Sequence, residues 1–202
     1  MFASKRVSAS FCLASTARAA VVATLAVAVF ALAAPAEAQT NVVGGINTST
    51  TWTLSGSPYT MTGDVVVQDG ATLTIEPGVV VRASGGSDTE LIVAAGGDLV
   101  ADASAGTAIT FEPASGTTTS SWEGVLLQAG ASATIRNVTF RYADYAIDWT
   151  PHTSGTVTID GVELTSCRFG VYVTGGATAT VSGLRGTGTG ATTYWVYASG
   201  ST

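Results

Sequence analysis

The sequence predicts an all-β solenoid, in which short parallel strands coil around one core, and three observations carry this prediction. From residue 39 onward the chain contains short runs in which apolar and polar residues alternate, such as "GATLTIEPGVVV" (70–81). Such alternation is typical of half-buried strands. All 24 Gly and 30 of the Thr residues lie in this part, a mixture that disfavours helix and favours strands joined by tight turns. The same pattern then returns after 24 residues, because Ile135 and Val138 match Ile159 and Val162.

Residues 1–38 predict a helical signal peptide that precedes the solenoid. Three cations stand before an apolar run of sixteen residues, 19–34, which Pro35 ends. A membrane-spanning helix needs about 20 apolar residues, so the run is too short for an anchor. Small residues at positions 36 and 38 predict cleavage after Ala38. We therefore expect a protein that is secreted or held at the cell surface, with no membrane insertion once the signal is removed.

The charge and the cysteine content of residues 39–202 exclude several classes of partner. This part has 5 Arg, no Lys and 13 Asp plus Glu, so its net charge is 5 − 13 = −8. Nucleic acids and anionic membranes both require clustered cations, so we expect neither as a partner. Only Cys167 remains in this part, which rules out an internal disulfide bond.

The segment 39–58 is expected to lead into the solenoid and to cap it, with Trp52 or Tyr59 covering the first coil. The β-helix itself is expected over residues 59–202. Within "GATLTIEPGVVV" (70–81), Leu73 and Ile75 should face inward and their Thr neighbours outward, because side chains alternate along a strand. Pro77 and Gly78 should form a corner between two short strands.

The repeat sets the expected stacking of the coils. "ATIRNVTFRYADYAIDW" (133–149) matches "VTIDGVELTSCRFGVYV" (157–173) at an offset of 24, and "ATVSGLRG" (179–186) follows at an offset of 22. Such a period predicts roughly six to seven stacked coils. Ile135, Ile159 and Val181 should then form one internal column. The same register predicts a corner column and three side-chain pairs: Asn137 with Gly161 and Gly183; Asp144 beside Arg168, Tyr145 beside Phe169, and Arg136 beside Asp160.

The opening coils "YTMTGDVVVQDGATLTIEPGVVVRA" (59–83), with "ITF" (109–111) and "WEGVLL" (122–127), resemble those of bacterial secreted right-handed parallel β-helix proteins with a pectate-lyase-like superhelix. The repeated "TIRNVTF" and "TIDGVEL" are similar to the later coils of that family. The resemblance covers about residues 50–198 and implies the architecture. It implies little about chemistry, because this fold carries many functions.

The residues that could act in catalysis do not form a recognisable catalytic set. His152 stands alone in a loop rich in Pro and Gly, and Cys167 stacks on Ala143 in the repeat as a core residue would. Asp144 and Asp160 are accounted for by pairing with arginines. We therefore predict no catalytic residues, no metal site and no cofactor. The alternative is a fragment of a polysaccharide lyase or glycoside hydrolase of the β-helix fold, acting on an acidic polysaccharide.

A binding role is the function that the sequence favours. Aromatic side chains stack on sugar rings, and several lie near the charged residues of two adjacent coils. The candidate binding residues are Asp144, Asp148, Trp149, Arg168 and Tyr172. A competing interpretation places several of these aromatic residues, and also Tyr142, Tyr194 and Trp195, in the core or at the ends.

The resulting prediction is an exported, non-catalytic β-helix module that contacts a polysaccharide or another surface protein. A purely structural stalk remains an alternative. The segment "YWVYASGST" (194–202) stops in the middle of the pattern, so we expect the chain to be part of a longer protein.

Overall fold

The computed structural model describes residues 39–149, 156–174, 179–187 and 194–199. The predicted signal peptide, His152 and the side chains of Tyr194 and Trp195 lie outside the described residues. Apart from one 3₁₀ turn, Leu54–Gly56, the regular structure of the described part is β-strand.

The strands are short, as the Gly- and Thr-rich runs predict, and they follow one another at corners of a few residues. Their bounds are β1 Thr40–Ile46, β2 Thr50–Trp52, β3 Tyr59–Val67, β4 Thr72–Ile75, β5 Val80–Ala83, β6 Glu90–Val93, β7 Asp98–Asp102, β8 Ile109–Pro113, β9 Trp122–Leu127, β10 Ser132–Arg136, β11 Val138–Arg141, β12 Ala143–Trp149, β13 Val157–Asp160, β14 Glu163–Thr165, β15 Phe169–Thr174, β16 Ala179–Ser182, β17 Arg185–Thr187 and β18 Tyr194–Ser199.

Every strand pairs in parallel with the strand one coil away, which confirms the parallel β-helix. A six-stranded sheet, here called wall A, has the order β16-β13-β10-β7-β4-β2. The larger sheet divides at β3. Its wall B runs β3-β5-β8-β11-β14-β17, its wall C runs β3-β6-β9-β12-β15-β18, and β1 pairs with β3. From β2 to β18 the described strands form six coils, each with a stretch in all three walls, in agreement with the expected number.

The interior is one apolar core that runs along the coils. In β4 the predicted inward residues Leu73 and Ile75 are buried, and the corner at Pro77 and Gly78 separates β4 from β5. Ile135 pairs with Ile159, and Ile159 pairs with Val181, so the predicted internal column is confirmed, with Val181 partly buried at its end. The described residues contain no disulfide bond, so burial of these side chains is their main stabilising contribution.

Residues with a left-handed backbone form the corners between wall A and wall B. Asn137 has a φ of +51°, and Gly161 and Gly183, one and two coils further on, have +63° and +62°. This is the column that the repeat predicts. The Asn137 side-chain amide also donates hydrogen bonds to the carbonyl oxygens of Ala103 and Gly106, at 2.9 and 3.1 Å, which ties its corner to the preceding coil.

The N-terminal segment is built into the helix as strands. β1 pairs with β3, and β2 begins wall A by pairing with β4. Trp52 and Tyr59 are both buried, and their rings stack with centroids 4.9 Å apart. The two residues expected at this end therefore pack on each other.

The predicted alignment of Arg136 with Asp160 is confirmed, but the two side chains do not form the expected ion pair. Arg136 lies in register with Asp160, but its guanidinium bonds to Asp102 of the preceding coil, with Nη1 3.1 Å from Oδ2. Asp160 instead accepts a hydrogen bond from the Ser182 hydroxyl at 2.7 Å. An arginine between two aspartates can turn towards either of them, and the repeat offset does not say which.

Candidate functional site

The outward side of wall C carries polar and aromatic side chains from six neighbouring strands. Along each strand the inward residue is apolar and buried, as Leu91, Ile147 and Val171 are, so the residues beside them point away from the core. We call this surface the acidic–aromatic face. It comprises Asp64, Glu90, Glu123, Asp144, Tyr145, Asp148, Arg168, Phe169, Tyr172 and Tyr197.

Carboxylates from successive coils crowd together at one side of this face. Asp64 accepts a hydrogen bond from the backbone N–H of Glu90, 3.1 Å from Oδ1, and thus lies next to it. Partial burial, followed by the charges of Glu123, Asp64 and Asp148, raises the pKa of Glu90 to about 7. Glu90 is therefore largely protonated in mildly acidic solution.

Two further carboxyl groups on the face also hold their protons more tightly than usual. Burial, and then the charges of neighbouring aspartates, raise the pKa of Glu123. Burial raises the pKa of Asp148, whose Oδ1 is shielded from solvent and has no hydrogen-bond partner among the described residues. A shielded acceptor of this kind is stabilised by any donor that reaches it.

An aromatic cluster borders the carboxylates. The rings of Tyr145 and Phe169 stack with centroids 4.7 Å apart, which confirms the predicted pair. Tyr172 stacks on Tyr197 at 4.9 Å, and its edge meets Tyr145 at 5.2 Å. Ring spacings near 4.8 Å follow from the distance between neighbouring strands, so the coils themselves set this ladder.

Arg168 joins the two parts of the face. Its Nη1 lies 3.2 Å from Oδ1 of Asp144, which confirms the predicted pair, and its guanidinium carbon lies 5.0 Å from the centre of the Phe169 ring. Asp144 also accepts a hydrogen bond from the Ser120 hydroxyl. Arg168 is thereby fixed between a carboxylate and a ring, where it supplies the cation of the face.

The close approach of β9 to β12 depends on Gly124. This residue has a φ of +130° and lies opposite Tyr145, at the irregularity in the pairing of these two strands. A Cβ atom at this position would overlap the carbonyl oxygen of Tyr145. The missing side chain therefore lets β9 and β12 pair at this point of the face.

Four of the five predicted binding residues belong to this face. Asp144, Asp148, Arg168 and Tyr172 lie on β12 and β15 or directly beside them, as the repeat implies. Trp149 does not: its side chain is 3% exposed and points into the core, as the competing interpretation expects. The residue next to an outward Asp148 on a strand must face inward, which is why Trp149 cannot contact a ligand on this face.

Sequence reasoning missed Asp64, Glu90 and Glu123. They come from earlier coils, which do not share the 24-residue period of the later ones. Only their position at the start of an apolar strand, as in "ELIV" (90–93) and "WEGVLL" (122–127), marks them as outward residues beside the core.

The described residues contain no reactive thiol, no group of side chains arranged as a metal site and no membrane-spanning helix. Cys167 is fully buried, and its burial raises the pKa of the thiol to about 11, so it is protonated at neutral pH. Within the described ranges no group of three His, Cys, Asp or Glu side chains is arranged to hold a metal ion. Nor do those ranges contain a helix long and apolar enough to cross a membrane.

Comparison with known proteins supports the fold. The family model described as "Pectate-lyase like beta helix domain" matches residues 44–147, which is 104 of the 202 residues. No curated protein sequence and no solved structure is significantly similar to the chain. The match covers the coils that carry Asp64, Glu90, Glu123, Asp144 and Tyr145.

Proposed function

The chain belongs to the family of pectate-lyase-like β-helix domains, and on that premise we propose that it is an exported, non-catalytic module that binds a polysaccharide through the acidic–aromatic face. One observation carries the proposal: an aromatic cluster and a row of hydrogen-bond acceptors lie side by side on one surface. Sugars need this combination, because their C–H surfaces pack on aromatic rings while their hydroxyls bond to polar groups.

The charge of the face favours a neutral polysaccharide. Five carboxyl groups, those of Asp64, Glu90, Glu123, Asp144 and Asp148, share the face with one arginine, Arg168. A polyanion such as a polyuronate would be repelled there, since like charges brought together cost free energy. The hydroxyl groups of a neutral sugar can instead donate to the exposed oxygens of these carboxylates.

Export is supported by the residues before the helix. The cations, the apolar run 19–34 and the small residues before Gln39 have the layout of a cleaved secretory signal. The mass of the exported product checks this part of the proposal, and a chain that begins at Gln39 is expected. A product that keeps residues 1–38 after export would contradict it.

The binding proposal is tested by replacing Tyr172. Its ring contacts Tyr145 and Tyr197 on the face but not the core, so Tyr172→Ala should leave the fold intact. We expect the variant to bind a neutral polysaccharide about tenfold more weakly, which corresponds to about 1.4 kcal/mol. Isothermal titration calorimetry of the purified protein against soluble β-glucans, mannans and xylans, with polygalacturonate as the charged comparison, is the measurement.

Thr158→Ala is the matched control, because Thr158 points outward from wall A on a different side of the helix. Its binding should equal that of the unchanged protein. The proposal fails if none of the polysaccharides binds, or if Tyr172→Ala binds as well as the control does.

One observation favours a competing function, hydrolysis of a glycosidic bond. A hydrolase needs one protonated carboxylic acid near a second carboxylate, and the raised pKa of Glu90 beside Asp148 meets the first requirement. A non-catalytic module releases no new reducing ends from the polysaccharide that it binds. Release of reducing ends that Glu90→Gln abolishes would replace the binding proposal by the enzymatic one.

A further inference from the structure

A second concave surface lies away from the acidic–aromatic face, on the outside of wall B. It has a volume of about 570 Å³ and is bounded by β5, β8, β11 and β14, and by the segment 114–117 that follows β8. This volume lies within the roughly 300–1,000 Å³ typical of small-ligand pockets. We call it the wall B pocket. Six residues carry the argument: Arg82, Glu112, Thr117, Arg141, Tyr142 and Glu163.

The charges of the wall B pocket balance. Glu112 bridges two arginines, with Oε1 3.0 Å from Nε of Arg82 and Oε2 3.3 Å from Nη1 of Arg141. Glu163 provides a second carboxylate, so two cations stand against two anions. The wall B pocket therefore attracts neither a polyanion nor a polycation, unlike the acidic–aromatic face.

The wall B pocket keeps both hydrogen-bond donors and acceptors for a ligand. A guanidinium carries five N–H donors. In the hydrogen bonds between described residues, Arg82 and Arg141 each give one of these donors to Glu112. Their side chains are 40% and 46% exposed, so the other N–H groups remain accessible to a ligand. The Thr117 hydroxyl at the rim can both donate and accept.

Tyr142 provides the aromatic side chain of the wall B pocket, and its backbone is strained. Its φ of +57° is left-handed, a conformation that costs a residue with a side chain roughly 1–2 kcal/mol. It occupies the corner between β11 and β12, and the equivalent corners of the coils before and after it hold Ser120 and Ser166, at +65° and +51°. Bonds from its N–H to Thr165 and from Ser121 to its carbonyl oxygen, at 2.9 and 2.8 Å, hold the corner in place.

A tyrosine is therefore present at a corner where the backbone favours a small or flexible residue. Strain of this kind persists where the surrounding structure fixes the backbone, and it is frequent at ligand-binding sites. The geometry offers an aromatic ring beside two guanidiniums and two carboxylates. A sugar ring needs these groups around it: an aromatic surface for its C–H groups, and paired donors and acceptors for its hydroxyls.

We propose that the wall B pocket is a second binding site, separate from the acidic–aromatic face, and that it takes one ring of a neutral sugar. Tyr142 contacts the C–H face of the ring, the guanidiniums of Arg82 and Arg141 donate to its oxygens, and Glu112 and Glu163 accept from its hydroxyls. Because the charges balance, a uronate gains no net attraction there, while its carboxylate loses hydration beside Glu112 and Glu163, so the site favours a neutral ring. The site uses none of the residues of the face, so either site can exist without the other.

The test follows the two arginines directly by NMR. The purified protein is titrated with neutral tetrasaccharides built from glucose, mannose or galactose, and with tetragalacturonate, while the Nε–H signals of Arg82 and Arg141 are recorded. We expect at least one neutral tetrasaccharide to shift these signals, and the charged one to shift them at least tenfold less at equal concentration.

Tyr142→Asn and Ser166→Asn form the matched pair of variants. Asparagine tolerates the left-handed conformation, so both variants keep their corner, but only the first removes a ring from the wall B pocket. Tyr142→Asn should weaken the shifts of the arginine signals at least tenfold without lowering the free energy of unfolding by more than the control does. Ser166→Asn should bind within twofold of the unchanged protein.

The outcomes separate this proposal from the one made for the acidic–aromatic face. Tyr172→Ala should leave the arginine shifts unchanged, because Tyr172 lies on wall C. The inference is overturned if no neutral tetrasaccharide moves the arginine signals, if tetragalacturonate moves them equally, or if Tyr142→Asn binds as Ser166→Asn does. If the signals of Arg82 and Arg141 shift but Tyr172→Ala does not weaken polysaccharide binding, the proposal for the acidic–aromatic face is contradicted. The proposal for the wall B pocket is then supported.

Discussion

At the scale of single residues, backbone conformation decides where the coils come close to one another. Gly124 shows this most directly, because its φ of +130° lies in a region that side chains rarely adopt. A methyl group there would also occupy the space of the Tyr145 carbonyl oxygen in the next coil. One glycine thus sets the distance between two strands of the acidic–aromatic face.

We predict that Gly124→Ala destabilises the protein by more than about 3 kcal/mol, because backbone strain of roughly 1–3 kcal/mol adds to a steric overlap that only movement of β12 relieves. Gly70→Ala is the control: its φ is +74°, but a Cβ there meets nothing within 4 Å, so it should cost only about 1–2 kcal/mol. Urea unfolding of both variants measures the difference. Equal costs would show that the overlap is relieved without penalty.

At the scale of the elements, parallel pairing of β3, β6, β9 and β12 brings together carboxylates that are far apart in the chain. In each of these strands the inward residues pack in the core, and an acidic side chain lies on the outer surface. Glu90 lies among three of them, and the combination of burial and repulsion raises its pKa. The crowding costs stability at neutral pH, a cost that a site for a hydroxyl-bearing ligand can offset on binding.

The raised pKa of Glu90 predicts how stability changes with pH. In the unfolded chain Glu90 releases its proton near pH 4.5, whereas in the folded protein it does so near pH 7. Between these values the folded state binds more protons, so the free energy of unfolding should fall as the pH rises. Glu90→Gln should reduce this slope, and it should be more stable than the unchanged protein at pH 8, as measured by urea unfolding across pH 4–8.

Asp64→Asn refines that experiment, because it removes one of the charges that raise the pKa of Glu90 while keeping an oxygen for the Glu90 N–H. The fall in stability should then occur at lower pH than in the unchanged protein. A slope that persists unaltered in Glu90→Gln would show that other groups cause it.

At the scale of the whole molecule, stability comes from the contact of each coil with its neighbours. Phe111 stacks on Phe140 of the next coil with centroids 5.0 Å apart, and on Trp122 at 6.3 Å, inside the helix. With no disulfide bond among the described residues, these layers of side chains hold the stack together. In such a solenoid, energetic coupling should be strong between adjacent coils and weak beyond them.

A double-mutant cycle tests this expectation. Phe111→Leu and Phe140→Leu should each cost about 1 kcal/mol, and together they should depart from additivity by about 0.5–1.5 kcal/mol, since the stacked pair is lost only once. Met61 lies three strands from Phe140 along wall B. Met61→Leu combined with Phe140→Leu should therefore add within about 0.5 kcal/mol. Equal coupling in both cycles would contradict nearest-neighbour stabilisation.

In the later coils the sequence repeat predicts two side-chain contacts correctly. Tyr145 and Phe169, and Asp144 and Arg168, are 24 residues apart, and both pairs meet as the repeat predicts. The earlier coils differ, because Glu90 pairs with Gly124, 34 residues on, and Gly124 pairs with Tyr145, 21 residues on. With unequal coils no fixed offset aligns Glu90 with Asp148. Neither serine nor tyrosine is a usual left-handed residue, so the corner at Tyr142 was not predicted either.

The sequence by itself determined that this chain forms a parallel β-helix, that side chains alternate between core and surface along its strands, and that Tyr145 stacks on Phe169 and Asp144 pairs with Arg168. These properties depend on alternation and on a regular repeat, and both are local signals. Only the tertiary structure decided that Glu90 and Glu123 join Asp148, that Trp149 is lost to the core, and that Arg82, Arg141 and Tyr142 surround one pocket. Those arrangements depend on the length of each loop between coils, because loop length determines which outward side chains become neighbours.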